Sequence, residues 1–153
     1  MTRQLLLAAG VVFAYVNVIH LIALLKKDNG IMDAAWGPGF VLLAWCTVLA
    51  GGGAEPRRLL LAALVTLWGL RLCFHILLRN AGRGEDFRYR NWRETWGRWF
   101  YLRSYLQIFM LQGFFMVVVA MPVIVTGANA GGPLVWLDAF GCLVWLTGFG
   151  FEA

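Results

Sequence analysis

Charge is scarce in this chain, and negative charge scarcest: eight Asp and Glu stand among 153 residues, against thirteen Lys and Arg. With 14% of residues charged, 61% apolar and a mean hydropathy of +0.71, the composition excludes an ordinary soluble globule and indicates a membrane protein. Cysteine is nearly absent too. Cys46, Cys73 and Cys142 lie far apart, each inside an apolar stretch, so neither a disulfide framework nor a CxxC metal site is expected, and they read as small core residues. No small-residue cleavage site follows the first apolar run, Leu5 to Leu25, which is also longer than a signal-peptide core; it reads as a retained helix.

What the chain has in abundance is long hydrophobic runs. Crossing about 30 Å of hydrocarbon takes ~20 helical residues, and five segments meet that length: 5–25, 35–54, 59–78, 104–126 and 134–153. Helices are the expected spanning form because lipid offers backbone groups no hydrogen-bond partner. The expected fold is therefore an all-α membrane domain covering residues 1–153. Lys26, Lys27 and the seven arginines between residues 79 and 103 belong to one side, and Arg3, Arg57 and Arg58 to the other. That bias places the N-terminus outside and the Arg-rich loop in the cytoplasm, with a bacterial inner membrane as the expected location. The net charge of +5 then points to anionic lipid head groups. Nucleic acid is not an expected partner, since the basic residues flank spans and form no recognisable nucleic-acid module.

The Arg-rich loop, residues 79–103, reads RNAGRGEDFRYRNWRETWGRWFYLR. From Tyr89 to Arg103 a helical period sets Trp92, Trp96, Trp99 and Phe100 on one side and Arg90, Glu94 and Arg98 on the other. This predicts an interfacial amphipathic helix between the third and fourth spans. Ahead of it, the turn Asn80–Asp86 carries Gly82 and Gly84, which free backbone N–H groups to face an anion, a weak signal by itself.

Ionisable residues inside spans are costly and mark candidate sites. Trp68, Arg71, His75 and Arg79 share a face of the third span; Asp138, Gly141, Trp145, Gly148 and Glu152 share one of the fifth, where small residues allow close contact. Helical rise sets Glu152 level with His75 and Arg79. With Asp33 and His20 these predict one polar cluster on the loop side, suited to a water-soluble anionic cofactor and a greasy substrate. Plainer readings stand beside this one. Arginines near helix ends can be snorkelling anchors, His75 a packing residue, the tryptophans an interfacial belt, Asp33 a helix cap, and Gln107 and Gln112 interhelical hydrogen bonds.

The run Leu67-Trp68-Gly69-Leu70-Arg71-Leu72, His75, Arg79-Asn80, Gly82, Gly84-Glu85-Asp86, Arg88-Tyr89, Trp92-Arg93, Trp96-Gly97, Arg103-Ser104-Tyr105-Leu106-Gln107 and Gln112-Gly113 resembles the steroid 5-alpha-reductase-like membrane proteins, in their bacterial branch. Asp33 with Trp36-Gly37 and Phe40, and Gly148-Phe149-Gly150-Phe151-Glu152, match the same branch. The resemblance implies an NADPH-dependent reductase of a carbon–carbon double bond in a steroid- or isoprenoid-like lipid. Asp33 would be the acid; Arg71, Arg79, Asn80, Arg83, Glu85, Asp86 and Arg88 would hold the cofactor; Trp36, His75 and Glu152 would meet the substrate. The fifth apolar segment stops without a basic flank, and such reductases continue through an Arg-His-Pro-Asn-Tyr type segment, so this sequence is expected to be an N-terminal portion, inactive alone. Two other classes stay open: a membrane methyltransferase using S-adenosylmethionine, and a non-enzymatic membrane module.

Overall fold

The computed structural model describes residues 1–53, 55–82, 84–129 and 133–152, and among these every regular element is a helix. The first three are α1 (Thr2–Lys26), α2 (Ile31–Ala50) and α3 (Pro56–Asn80), each long and apolar enough to span a bilayer. A fourth apolar run is composite. It starts with α4 (Phe87–Trp96), turns at Gly97–Trp99, continues as α5 (Phe100–Arg103), widens into a π-helical segment at Ser104–Met110, and proceeds through α6 (Leu111–Val119). It breaks at Ala120 and resumes as α7 (Met121–Ala128). Pro122 in the first turn of α7 explains the break, because it has no N–H to continue the ladder. The last helix, α8 (Trp136–Phe151), has 16 residues and reaches only about 24 Å, shorter than the span expected there.

The expected interfacial helix is therefore shorter than its sequence period suggested. α4 ends at Trp96 because the backbone leaves the helix at Gly97, with φ of 48°. Trp92 and Trp96 stack at 5.2 Å and Phe100 follows at 6.1 Å, so this side is continuous across the turn. It faces protein: Tyr89 is buried, and Trp92 and Trp96 pack on the core. Trp99 is exposed, off that side, while Arg90, Glu94 and Arg98 are exposed as expected. The tryptophans divide between roles, and only some suit an interfacial belt.

The core forms where α1 buries a single stripe, Ala8, Val12, Val16, Ile19 and Ala23, against Met32, Phe40 and Leu43 of α2 and Ile108, Phe109, Met116 and Ile124 of the fourth run. The three cysteines are free and half-buried. Around this core, residues such as Leu6, Phe13, Leu25, Leu78 and Phe151 are left exposed, as lipid-facing side chains should be.

Close backbone contact occurs between α2 and α3, not along α8. A methyl group on Gly37 would overlap the Gly69 carbonyl, and one on Gly69 would lie 2.7 Å from the Gly37 carbonyl. Gly141 and Gly148 have open space where a Cβ would stand, and no residue of α8 is buried. Two ion pairs attach α8 instead. Arg57 grips Asp138 with two hydrogen bonds of 2.8 and 2.9 Å, and Arg71 meets Glu152 at 3.3 Å. Each pair of partners is fourteen residues apart on its own helix, about 21 Å in each case, so α3 and α8 run parallel and in register.

The connections sort onto two ends. Lys27 and Asn29 meet the loop after α3, since Arg93 Nη2 donates to the Lys27 carbonyl and the Asn29 N–H to Glu85. At the other end Arg58, 5% exposed, ties the Gly51 carbonyl (2.6 Å) to that of Asn129. Arg58 thus joins the C-terminal ends of α2 and α7, where helix dipoles favour a cation, and is no solvent-facing flank.

Gly69→Ala should lower the unfolding midpoint in detergent, at a cost of about 1–3 kcal/mol for overpacking, whereas Gly141→Ala should leave it unchanged or slightly raised. A thermal melt of both variants by circular dichroism checks this; equal behaviour would argue against the α2–α3 contact.

Candidate functional site

Asp33 lies inside α2, in its first turn, and does not cap it: Gly30 occupies the cap position. Its carboxylate is therefore free to face the loop. Oδ1 accepts a 2.8 Å hydrogen bond from the Tyr89 hydroxyl and Oδ2 one of 3.1 Å from Arg88 Nη2. Both donors come from the first turn of α4. That turn is fixed by Asp86, the residue capping α4, whose carboxylate accepts from the Arg88 N–H at 2.9 Å and from Arg88 Nε at 3.1 Å. Arg88 so bridges Asp86 and Asp33.

A second knot holds the loop from below. Glu85 accepts from Arg93 Nη2 (2.9 Å), Arg93 Nε (3.2 Å) and the Asn29 N–H (3.2 Å). The buried Asn29 amide donates to the buried Ser104 hydroxyl at 2.9 Å. Satisfied in this way, buried polar groups stabilise one arrangement of the α1–α2 turn, the loop and the π-helical segment. Arg93 also sits 4.2 Å from the Phe100 ring centroid.

Two hollows meet at this junction. An open cleft of about 560 Å³ is lined by Asp33, Trp36, Phe40, Trp68, Leu72, Ile76, Arg79, Arg88, Gln112 and Val119. A polar basin of about 580 Å³ is lined by Arg79, Asn80, Gly84, Glu85, Asp86, Phe87, Arg88 and Arg90. Arg79 and Arg88 border both. The cleft is aromatic and aliphatic except at its Asp33 end. Trp36 donates to Gln112 Oε1 at 2.5 Å, which holds its indole edge, and Phe40 stands edge-on to Trp68 at 5.7 Å. Gly82 takes a φ of 72°, a conformation that glycine adopts without steric cost.

The residues singled out in the sequence are only partly gathered. Asp33, Trp36, Arg79, Asn80, Glu85, Asp86 and Arg88 converge on the two hollows; Arg83 lies outside the described residues. The single polar cluster expected there is divided. Glu152 is not level with His75 and Arg79 but about a turn or more short of them, accepting from Trp68 Nε1 at 3.2 Å and from Arg71. Arg71, over the Phe149 ring at 4.8 Å, belongs to this second group and not to the basin. His75 is exposed and lines neither hollow. His20 packs on Tyr105 and Phe109 instead. Gln112 makes the interhelical bond considered for it, and Gln107 is exposed. Sequence reasoning missed Tyr89 and Arg90. Tyr89 was detectable as the residue three before Trp92 on the buried side of α4; Arg90 was assigned only to the outer side.

Fold and site together define an all-α membrane protein with an amphiphilic site at the junction of a helical bundle and an arginine-rich loop. The family described as "Protein of unknown function (DUF1295)" matches residues 19–153, and the chain belongs to that family. No curated protein and no solved structure matches the chain.

Hydrogen bonds from the Arg88 side chain, and then from its backbone N–H, hold the Asp86 carboxyl below the ordinary aspartate value of 3.8. A lowered value means that the folded state gains from the ionised form: the stabilisation is complete above 3.8 and is lost as pH falls through the lowered value. Protection of the amides across Phe87–Trp96, relative to an unfolded peptide at the same pH, should therefore hold at pH 5 and fall only below pH 3.8. Asp86→Ala should lower that protection at pH 7, by about 1 kcal/mol of lost capping, and remove the dependence on pH. Hydrogen–deuterium exchange read by mass spectrometry tests both.

Proposed function

We propose that this chain belongs to a membrane-embedded NADPH-dependent reductase acting on a carbon–carbon double bond in a lipidic substrate. The observation that carries the reading is the meeting of an apolar cleft and a cationic basin at Arg79 and Arg88, with a carboxylic acid at the cleft's polar end. Membership of a family generally associated with steroid 5-alpha-reductase-like proteins supports it.

The residues suit the cofactor chemically. The guanidinium group of Arg79, the Asn80 amide and the Gly84 backbone offer donors for phosphate oxygens, while Asp86 holds Arg88 and Glu85 holds Arg93 in place. When bound, the nicotinamide supplies a hydride. The cleft's aromatic walls, Trp36, Phe40 and Trp68, bind the hydrophobic body of the substrate and exclude water. Asp33, which accepts from the Tyr89 hydroxyl at 2.8 Å, stands at the cleft where a proton must reach a carbonyl oxygen or the carbon that does not receive hydride, and is the residue proposed to deliver it. The alkene gains one hydride and one proton, and the lipid leaves saturated. The Arg-rich loop is cytoplasmic in this scheme, where the dinucleotide is available, with the N-terminus outside.

The test is a binding titration in detergent with NADPH and, separately, with S-adenosylmethionine. Micromolar NADPH binding without S-adenosylmethionine binding is expected, and the reverse result would replace the reductase by a methyltransferase. In the active reductase, Asp33→Asn should leave NADPH affinity within about threefold while lowering lipid reduction roughly 100-fold or more. An equal loss of affinity and turnover would remove Asp33 from the proton-donating role.

A further inference from the structure

The arginines of the basin are not equivalent, because carboxylates have already claimed some of them. Arg88 is shared by Asp86 and Asp33, and Arg93, outside the basin's lining, is held by Glu85 through two nitrogens. Among the described residues, Arg79 and Arg90 have no carboxylate within ion-pair distance. Arg79 makes one 3.4 Å contact to the Asn80 side chain, and Arg90 one of 3.5 Å to the Glu85 carbonyl. Both contacts are long for N–H···O bonds. Each guanidinium carries five N–H donors, so most of their donors face the basin unspent. Gly84 leaves room beside Arg90, since a Cβ there would stand 3.7 Å from Arg90 Nη2.

We infer that Arg79 and Arg90 form the basin's subsite for a phosphomonoester dianion, and that Arg88 is a positioning residue whose task is to hold Asp33. The inference deepens the NADPH reading and rests on it for the identity of the ligand, which carries such a group where NADH has none. Two guanidiniums without carboxylate partners lining one hollow suit a compact dianion, because the bidentate geometry of each matches phosphate oxygens. A carboxylate-saturated arginine cannot offer the same: taking up an anion would require it to abandon Asp33 or Asp86. The same chemistry exists in a lipid head group of the phosphatidic acid type, so the source must be separated experimentally.

The experiment uses the full chain in nanodiscs of phosphatidylcholine, with and without phosphatidic acid, titrated with NADPH, NADH and inorganic pyrophosphate. Wild type, Arg90→Gln, Arg79→Gln and the exposed control Arg98→Gln are compared. NADPH should bind at least about tenfold more tightly than NADH, and Arg90→Gln and Arg79→Gln should each erase most of that ratio while Arg98→Gln preserves it. If both dinucleotides bind with one affinity that neither substitution changes, the subsite is overturned while the dinucleotide reading stands. If neither dinucleotide binds but pyrophosphate does, dependent on Arg90, the subsite stands and the reductase reading falls. Arg90-dependent retention of phosphatidic acid without nucleotide binding would assign the subsite to lipid. Failure of every probe overturns both. Thermal melts of each variant confirm folding, and Arg90→Lys, which keeps the charge but loses the fork, should restore only part of the ratio.

Discussion

The arrangement depends on the pairing of guanidinium groups with a small number of carboxylates. Five of the eight acids, Asp33, Glu85, Asp86, Asp138 and Glu152, are each engaged by an arginine. In a bilayer-embedded bundle there is no general hydrophobic force to press helices together, since lipid tails are as apolar as leucine. The pairs therefore set geometry where packing alone leaves it loose. α8 shows this most plainly: it buries no residue, yet pairs at both ends fix its direction and register against α3. The loop shows it too, as Glu85 and Asp86, adjacent in sequence, pull Arg93 and Arg88 to opposite sides and thereby seat α4. Surface ion pairs are individually worth little, so their influence here lies in choosing one arrangement over others of similar packing energy.

How much of this was legible in the sequence follows from the same physics. Hydrophobic length identified the spans, because the bilayer enforces it on every helix. It could not place the start of α2, which begins at Ile31 and carries Asp33 inside, because the charge of Asp33 interrupts the apolar run just after the polar stretch 26–30. Gly97 was visible as a glycine, but only three-dimensional context distinguishes a turn from a tolerated helical glycine. The close-contact glycines were sought in α8 because they recur there at helical spacing; the contact belongs to Gly37 and Gly69, single residues on two helices that sequence cannot pair. Glu152 and Arg71 were both flagged, but helical rise counted along each helix does not give their register. The register between α3 and α8 is set by Arg57 on Asp138, which brings Glu152 level with Arg71 and not with His75, while Asp33 is met from the loop. His75 shares a helix face with Arg71 and Arg79 by periodicity, yet the cleft is lined by Trp68, Leu72 and Ile76, one step around the cylinder.

Trp68 connects the two groups into which the polar residues divide. One side of its indole walls the cleft near Phe40, and its Nε1 donates to Glu152, which Arg71 also holds. A tryptophan has two side-chain torsions, and a hydrogen bond at the far edge of the ring constrains both. The docking of the end of α8 is thereby tied to the width of the cleft, although no atom of α8 lines it. At the cleft's other end Arg88 and Tyr89, consecutive residues of α4, grip the same carboxylate. A displacement of α4 would move the wall of the basin and the partners of Asp33 together. The apolar and polar hollows are thus held in a fixed relation by α8, attached by polar contacts, and by α4, whose Arg88 and Tyr89 add polar contacts to the packing of Tyr89, Trp92 and Trp96 on the core, and the site's shape follows from where the few acids of this chain were placed.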